Sequence, residues 1–264
     1  MWLNENRGTE PMKRILICLA ILALAGCSFV IGDSRRPIAS ETFAAPSASP
    51  ERPLVVVLPG FGVGIKGMKE HGVAAAIQDA WPEAEVQLAD ATFAYYKDQN
   101  LIPRLHDEII GPAARAGRRI WLVGASLGGM GVMLYERAHP GELAGIILFA
   151  PFLGDRPLLT EIRDAGGPRE WEPGDLPAEL TPELYQRQLW QMIKGWAERP
   201  ASAPRVWLAC GDEDRLLGTS KLLASALPPE RFFELKGGHA WDTWLVGGKV
   251  VFANVRTSLR NKSL

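Results

Sequence analysis

Residues 118–131 read RRIWLVGASLGGMG, an apolar run that stops at Gly124 and passes through a single serine, Ser126, into a second glycine-rich stretch. An apolar run rich in β-branched and aromatic residues and ended by glycine has the composition of a strand buried on both faces. Residues 128–139 have the pattern of a helix, so Ser126 falls on a strand-to-helix turn. Gly124, Ser126 and Gly128 make the pattern G-x-S-x-G. Glycines at those places remove side chains that would collide as the turn forces its central residue into strained backbone angles. The hydroxyl is pushed out beyond the end of the strand.

The same alternation continues on both sides of this turn. LVVVL at 54–58 reads as a buried strand stopped by Pro59 and Gly60, and GVAAAIQDAW at 72–81 as the helix after it. AEVQLA at 84–89 reads as a strand, 99–116 as a helix and AGIILFAP at 144–151 as a strand. Strands alternating with helices predict an α/β fold with a mainly parallel twisted sheet flanked by helices. The rhythm breaks over 151–204, where TPELYQRQLWQMIKGWAERP has a helical pattern opened by proline, and this region reads as a short helical cap inserted over the sheet. RVWLAC, a helix near Ser220, RFFEL and a C-terminal helix then restore it.

A chain of 264 residues, 47% hydrophobic and with a net charge of -1, is enough for one sizeable domain or at most two small ones. Acidic and basic residues are balanced and form no basic stripe, which points away from nucleic acid, and no zinc-type Cys/His spacing points to a structural metal. Small or neutral ligands fit this composition better.

Lys13 and Arg14 precede the apolar run ILICLAILALAG, which is short for a membrane span and ends at Cys27. Residues 1–27 therefore read as a leader and secretory signal, with Met12 as the expected start. Leu24-Ala25-Gly26-Cys27 resembles the lipobox of bacterial lipoproteins, which implies cleavage before Cys27, its acylation, and a membrane partner reached through the lipid anchor. Ser28 implies, by the same resemblance, an outer-membrane location facing the periplasm. The alternative is an ordinary signal peptide cut at Ala23-Leu24-Ala25. Residues 28–53, rich in Pro, Ser and Ala, read as a flexible tether, and 54–264 as the folded domain. Removing Cys18 with the signal and acylating Cys27 leaves Cys210 alone, so no intrachain disulfide is expected.

With the elbow and this rhythm, the chain from Leu54 to the C-terminal helix resembles the α/β-hydrolase family. The resemblance implies a Ser–acid–His triad in that chain order, with Ser126 as nucleophile. His71 and His106 lie upstream and His139 ends the elbow helix, which leaves His239, in KGGHAWDTW after the last strand, as the base. The acid lies in RVWLACGDEDRLLG. The family pattern G-x-x-D favours Asp214, with Asp212 as rival and Glu213 behind both. The implied oxyanion-hole donors are the backbone N–H groups of Leu127 and of Phe61 in LPGFG, where Pro59 stands in place of the family's usual histidine.

The resemblance implies hydrolysis of a small-molecule carboxylic ester, or a related acyl bond, through an acyl-enzyme, with no cofactor and no metal. The same residues suit a thioesterase or an acyltransferase, and a non-catalytic membrane-tethered binding protein is the alternative of a different class. Trp190, Trp196, Phe61, Phe152 and Trp241 are candidates to line an acyl pocket.

Overall fold

The structure, a computed structural model, describes residues 32–51, 53–200 and 203–260. The signal at 1–27, the lipidation at Cys27 and the first residues of the expected tether, 28–31, lie outside the described residues.

Strands β1 (Ser40–Phe43), β2 (Pro53–Leu58), β3 (Glu85–Ala89), β4 (Arg119–Ala125), β5 (Gly145–Phe149), β6 (Val206–Gly211) and β7 (Phe232–Leu235) form one sheet in the order β1-β3-β2-β4-β5-β6-β7. All neighbours are parallel except β1, which pairs antiparallel with β3. Helices α1 (Ile65–Glu70), α2 (Val73–Ala80), α3 (Phe93–Lys97), α4 (101–115), α5 (Leu127–Ala138), α6 (Arg156–Asp164), α7 (Tyr185–Glu198), α8 (Leu217–Ala224) and α9 (Trp241–Arg260) surround it. Within α4, His106–Ile110 winds as a π-helix.

Period-two alternation divides the strand side chains between two cores. Leu54, Val56 and Leu58 of β2, with Ile120 and Leu122 of β4, pack under α4, α5 and α7. Val55 and Val57, with Trp121 and Val123, pack under α1, α2 and α9. Covered on both faces, the central strands are continuous apolar runs, which is why they were legible as strands.

The expected tether is corrected by the fold. Residues 34–43, within the 28–53 segment, are part of the domain. Ser34 donates to Asp98 Oδ2 at 2.5 Å, the Tyr95 hydroxyl donates to the carbonyls of Arg36 and Pro37 at 3.1 and 3.2 Å, and the Ile38 amide donates to Glu108 Oε2 at 2.6 Å. Ser40 then sits opposite Ala89 at the sheet edge. An edge strand is held by ladder hydrogen bonds and needs no buried side chain on every second residue, so its composition does not reveal it.

One further expectation changes. Residues 151–204 do carry helices, α6 and α7, but Trp190 and Trp196 are core residues, and the Trp190 indole donates to the Leu153 carbonyl at 2.7 Å. No helix among the described residues is long and apolar enough to cross a membrane.

The chain runs from β2 to β3 on one side and from β4 to β5 on the other, so the strand order reverses between the neighbours β2 and β4. The crevice at the carboxyl ends of such a pair is where ligands bind in open α/β sheets. The loop carrying Phe61 leaves one of these strand ends and Ser126 leaves the other.

On α5, Glu136 is buried with one oxygen accepting from the Gly141 amide at 3.3 Å and the other without a partner among the described residues. Burial pushes its carboxyl up to about 7. The folded chain thus holds this proton more tightly than the unfolded chain. The stability that goes with the protonated group is full below the ordinary carboxylate range and is lost as pH rises through 7. Glu136→Gln is expected to gain stability relative to the natural chain between pH 5 and pH 8, by about 2 kcal/mol or somewhat more. Chemical denaturation at the two pH values checks this, and an unchanged difference would rule it out.

Candidate active site

Ser126 stands between β4 and α5 with φ 54° and ψ -113°, a conformation that costs a non-glycine residue about 1–3 kcal/mol. The surrounding backbone holds it there. Its N–H donates to the Phe149 carbonyl at 2.9 Å, and its carbonyl accepts from Phe152 N at 3.0 Å and Met130 N at 3.2 Å. The two pattern glycines are required by close approach. A Cβ at Gly128 would collide with the Leu58 carbonyl and lie 2.6 Å from the Pro59 carbonyl oxygen, and one at Gly124 would run into the backbone of Gly128. β4, the helix start and the end of β2 therefore meet backbone to backbone.

His239 lies in the loop between β7 and α9, and its Nδ1 is 2.9 Å and 2.8 Å from the two carboxylate oxygens of Asp214. The Asp214 side chain is fully buried and His239 is mostly so. Asp214 Oδ1 also accepts from the Leu216 amide at 2.8 Å, which fixes the carboxylate at the turn after β6. A carboxylate only accepts, so Nδ1 carries the proton and Nε2 is the nitrogen left with a lone pair. Trp244 packs edge-on against the imidazole with centroids 4.9 Å apart.

Asp212 does something else. Its Oδ2 pairs with Lys236 Nζ at 2.6 Å and its Oδ1 accepts from the Gly237 amide at 3.0 Å. Those bonds hold its carboxyl below the ordinary carboxylate range, the Lys236 bond foremost. Main-chain bonds from Asp212 N to Leu235 O at 2.7 Å and from Glu213 N to Gly237 O at 3.0 Å join the same two turns. Asp212 is a staple for the loop that carries His239, a role the sequence reading did not foresee. Among the described residues no hydrogen bond joins Ser126 Oγ to His239, a bond that in such sites often closes only on substrate.

The loop after β2 reaches the elbow. A Cβ at Gly60 would lie 3.8 Å from Ser126 Cβ. Val63 N closes a turn onto the Gly60 carbonyl at 3.2 Å, with Phe61 at its exposed tip and its ring edge-on to Phe93 at 5.3 Å. Neither the Phe61 nor the Leu127 N–H donates to an acceptor among the described residues.

Along α5 from Met130 onward, a cleft of about 460 Å³ lies between α3, α4, α5 and the 180–185 stretch of the insertion, lined by Phe93, Tyr96, Met130, Leu134, Pro182 and Tyr185. Its size falls in the range of small-molecule sites. Of the aromatic residues expected at an acyl pocket, Phe61 touches this cleft only through Phe93. The aromatic cluster FAYYK at 93–97 is the sequence signal that marks this cleft. Burial raises the pKa of the Tyr96 hydroxyl, which has no hydrogen-bond partner among the described residues.

No family model and no curated protein matches the chain in sequence. Solved structures do match in shape. Est1E from Butyrivibrio proteoclasticus is 20% identical with a TM-score of 0.54, over 84% of this chain and 94% of that one. A monoacylglycerol lipase from Paleococcus ferrophilus is 16% identical with a TM-score of 0.52, over 83% and 99%. The S-formylglutathione hydrolase of Staphylococcus aureus is 12% identical with a TM-score of 0.52, over 84% and 98%. Taken with the strand order, the strained serine turn between β4 and α5, and the histidine loop after β7, this likeness identifies the chain as one with the α/β-hydrolase fold.

Proposed function

We propose that the protein is a serine hydrolase that cleaves a small-molecule carboxylic ester through an acyl-enzyme. The observation that carries this reading is the pairing of His239 with the buried Asp214, at the carboxyl edge of the sheet that also presents Ser126 on its strained turn. Ser126 Oγ attacks the ester carbonyl as His239 Nε2 takes its proton. Asp214 holds the ring in the tautomer that leaves Nε2 free and stabilises the imidazolium as it forms. Negative charge that develops on the carbonyl oxygen meets the unpaired N–H groups of Phe61 and Leu127. The tetrahedral intermediate collapses, the C–O bond breaks, and the leaving alcohol departs with the proton from His239. Water, deprotonated by His239, attacks the acyl-Ser126 ester and releases the acid. No step calls for a cofactor.

The apolar cleft beside Met130 suits the hydrophobic part of the substrate, because Met130 is one helical turn from Ser126 and its N–H bonds the Ser126 carbonyl. The names of the similar structures, which include esterases and a monoacylglycerol lipase, are in keeping with ester chemistry. Turnover of aryl esters of graded acyl length tests the reading. Activity is expected on medium acyl chains, with Ser126→Ala reduced to background. Turnover that survives Ser126→Ala, or none on any ester, would refute it.

Export as a Cys27-anchored lipoprotein of the outer membrane is the second part of the proposal and rests on the lipobox-like LAGC. Ser34 is the first buried residue among those described and lies seven positions after Cys27, so an anchor there would keep the domain within about 25 Å of a membrane surface. Cys27→Ser is expected to shift the protein from the membrane fraction to the soluble one and to remove the lipid mass from its N-terminal peptide. An unmodified N-terminus in the natural chain would contradict it.

A further inference from the structure

At the far end of α5 from Ser126, three side chains from separate elements converge. His106 opens the π-helical turn of α4, His139 caps α5 at its C-terminus, and Glu142 follows in the turn before β5. One ligand atom from each lies within 4.8 Å of the others. The Glu142 Oε2 oxygen is 3.4 Å from His106 Nδ1 and 3.8 Å from His139 Nδ1, and all three side chains are about a quarter to a third exposed. A π-turn inside an α-helix is unusual and recurs at functional sites, and here it begins at one of the converging residues.

We propose that His106, His139 and Glu142 bind one divalent transition-metal ion, with zinc as the matching ion. Two imidazole nitrogens and one carboxylate oxygen are the nitrogen and oxygen donors that zinc takes, and three protein ligands leave a fourth, tetrahedral position for water. Ligand atoms around zinc stand about 3.3 Å apart, given bonds of about 2.0–2.1 Å, so the Glu142 oxygen at 3.4 and 3.8 Å is already near its place and the two imidazoles have to reorient toward the ion.

The surroundings support the assignment. The Tyr135 hydroxyl donates to Glu142 Oε2 at 2.6 Å and lies 3.0 Å from His106 Nδ1, the kind of outer contact that orients metal ligands. Among the described residues Glu142 pairs with no lysine or arginine, so its charge faces the imidazoles. On the other edge of His106, Nε2 shares the space beside Gly111 with the Arg115 guanidinium, so the edge that faces the carboxylate is the Nδ1 edge. The rings of His106 and His139 stack 4.3 Å apart and 4° from parallel. To share an ion the rings must fan open about their Cβ–Cγ bonds, and His106 must give up its present Nδ1 contact with the Tyr135 hydroxyl and move its proton to Nε2, which the exposed Arg115 side chain must swing aside to allow.

No run of the sequence shows a zinc spacing because the ligands come from three elements, and no metal was expected from it. The twelve residues of α5 put this site about 18 Å from Ser126. The ion would therefore join α4, α5 and the turn before β5 without touching the reacting atoms.

Calorimetric titration of zinc into tag-free, chelator-treated full-length protein tests the site. One zinc per chain is expected, with affinity at least tenfold weaker in His139→Ala and in the near-isosteric Glu142→Gln, and unchanged in His71→Ala. Circular dichroism of each metal-free variant verifies folding, and Glu142→Gln carries the test if His139→Ala does not fold. A natural chain that takes up no zinc in the micromolar range, binding that survives Glu142→Gln, or binding lost in His71→Ala would overturn the proposal.

Discussion

Asp214→Asn is expected to lower kcat by about four orders of magnitude, as amidation of the aspartate does in serine-protease triads, while the melting temperature changes little. The hydrogen bonds of the site say why. The Leu216 amide donates to Asp214 Oδ1 at 2.8 Å and will hold the amide oxygen of an asparagine in that place. The asparagine NH2 then faces His239 Nδ1 and donates to it. The ring is driven to the tautomer with its proton on Nε2, which leaves no base for the Ser126 hydroxyl. Asp212→Asn is expected to cost less than about tenfold, because an asparagine oxygen still accepts from the Gly237 amide and the lost Lys236 pair is exposed. Steady-state kinetics on both variants decide the matter, and a larger loss in Asp212→Asn would show that the acid is misassigned.

Gly128→Ala is expected to lower kcat/KM by about a hundredfold or more and to destabilise the fold by about 1–3 kcal/mol. The added methyl meets the carbonyls of Leu58 and Pro59, which are main-chain atoms of a central strand and its exit and have no rotamer to yield. Relief requires α5 to move away from β2. That displaces Ser126 and the Leu127 N–H relative to Phe61, so the nucleophile and both proposed oxyanion donors lose register together. Kinetics and thermal denaturation read the two effects. A Gly128→Ala variant with natural activity and melting temperature would mean that the close approach of strand and helix is not needed.

The central strands were legible because burial on both faces writes them as short apolar runs, and LVVVL and AGIILFAP needed nothing more. The elbow was legible because close backbone approach leaves glycine as the only residue that fits at 124 and 128. Chain order then picked out His239 from four histidines. The choice of Asp214 over Asp212 came from the resemblance to the family pattern G-x-x-D and not from the residues themselves, and the structure pairs Asp214 with His239. Two carboxylates two residues apart diverge at a turn, and which one faces His239 depends on main-chain bonds such as Asp214 N to Gly211 O at 3.1 Å and Leu217 N to Asp214 O at 3.0 Å.

Residues 34–43 were hidden for a different reason. Their hold on the domain comes from β1 pairing with the edge of β3, from polar contacts to Asp98, Tyr95 and Glu108, and from Ile38 in one core and Phe43 against the other, two apolar residues too far apart to write a strand pattern. Aromatic residues were legible only as candidates, since the same residue types fill cores and line pockets. Trp190 and Trp196 have the composition of a pocket wall, yet α7 turns them into the core, while Phe93, Tyr96 and Tyr185 line the cleft. Which face of a helix meets solvent and which meets another helix is a property of the packed fold. The π-turn that begins at His106 is likewise set by the packing of α4 and has no local sequence mark.

The most direct test of the central claim is covalent trapping by a fluorophosphonate, which phosphonylates only a serine that a neighbouring base has activated. Peptide mass spectrometry of the treated protein is expected to find the adduct on Ser126 alone, with labelling lost in Ser126→Ala and strongly slowed in His239→Ala. An adduct on another serine, no adduct at all, or labelling undiminished in His239→Ala would contradict the assignment of Ser126 as a nucleophile activated by His239.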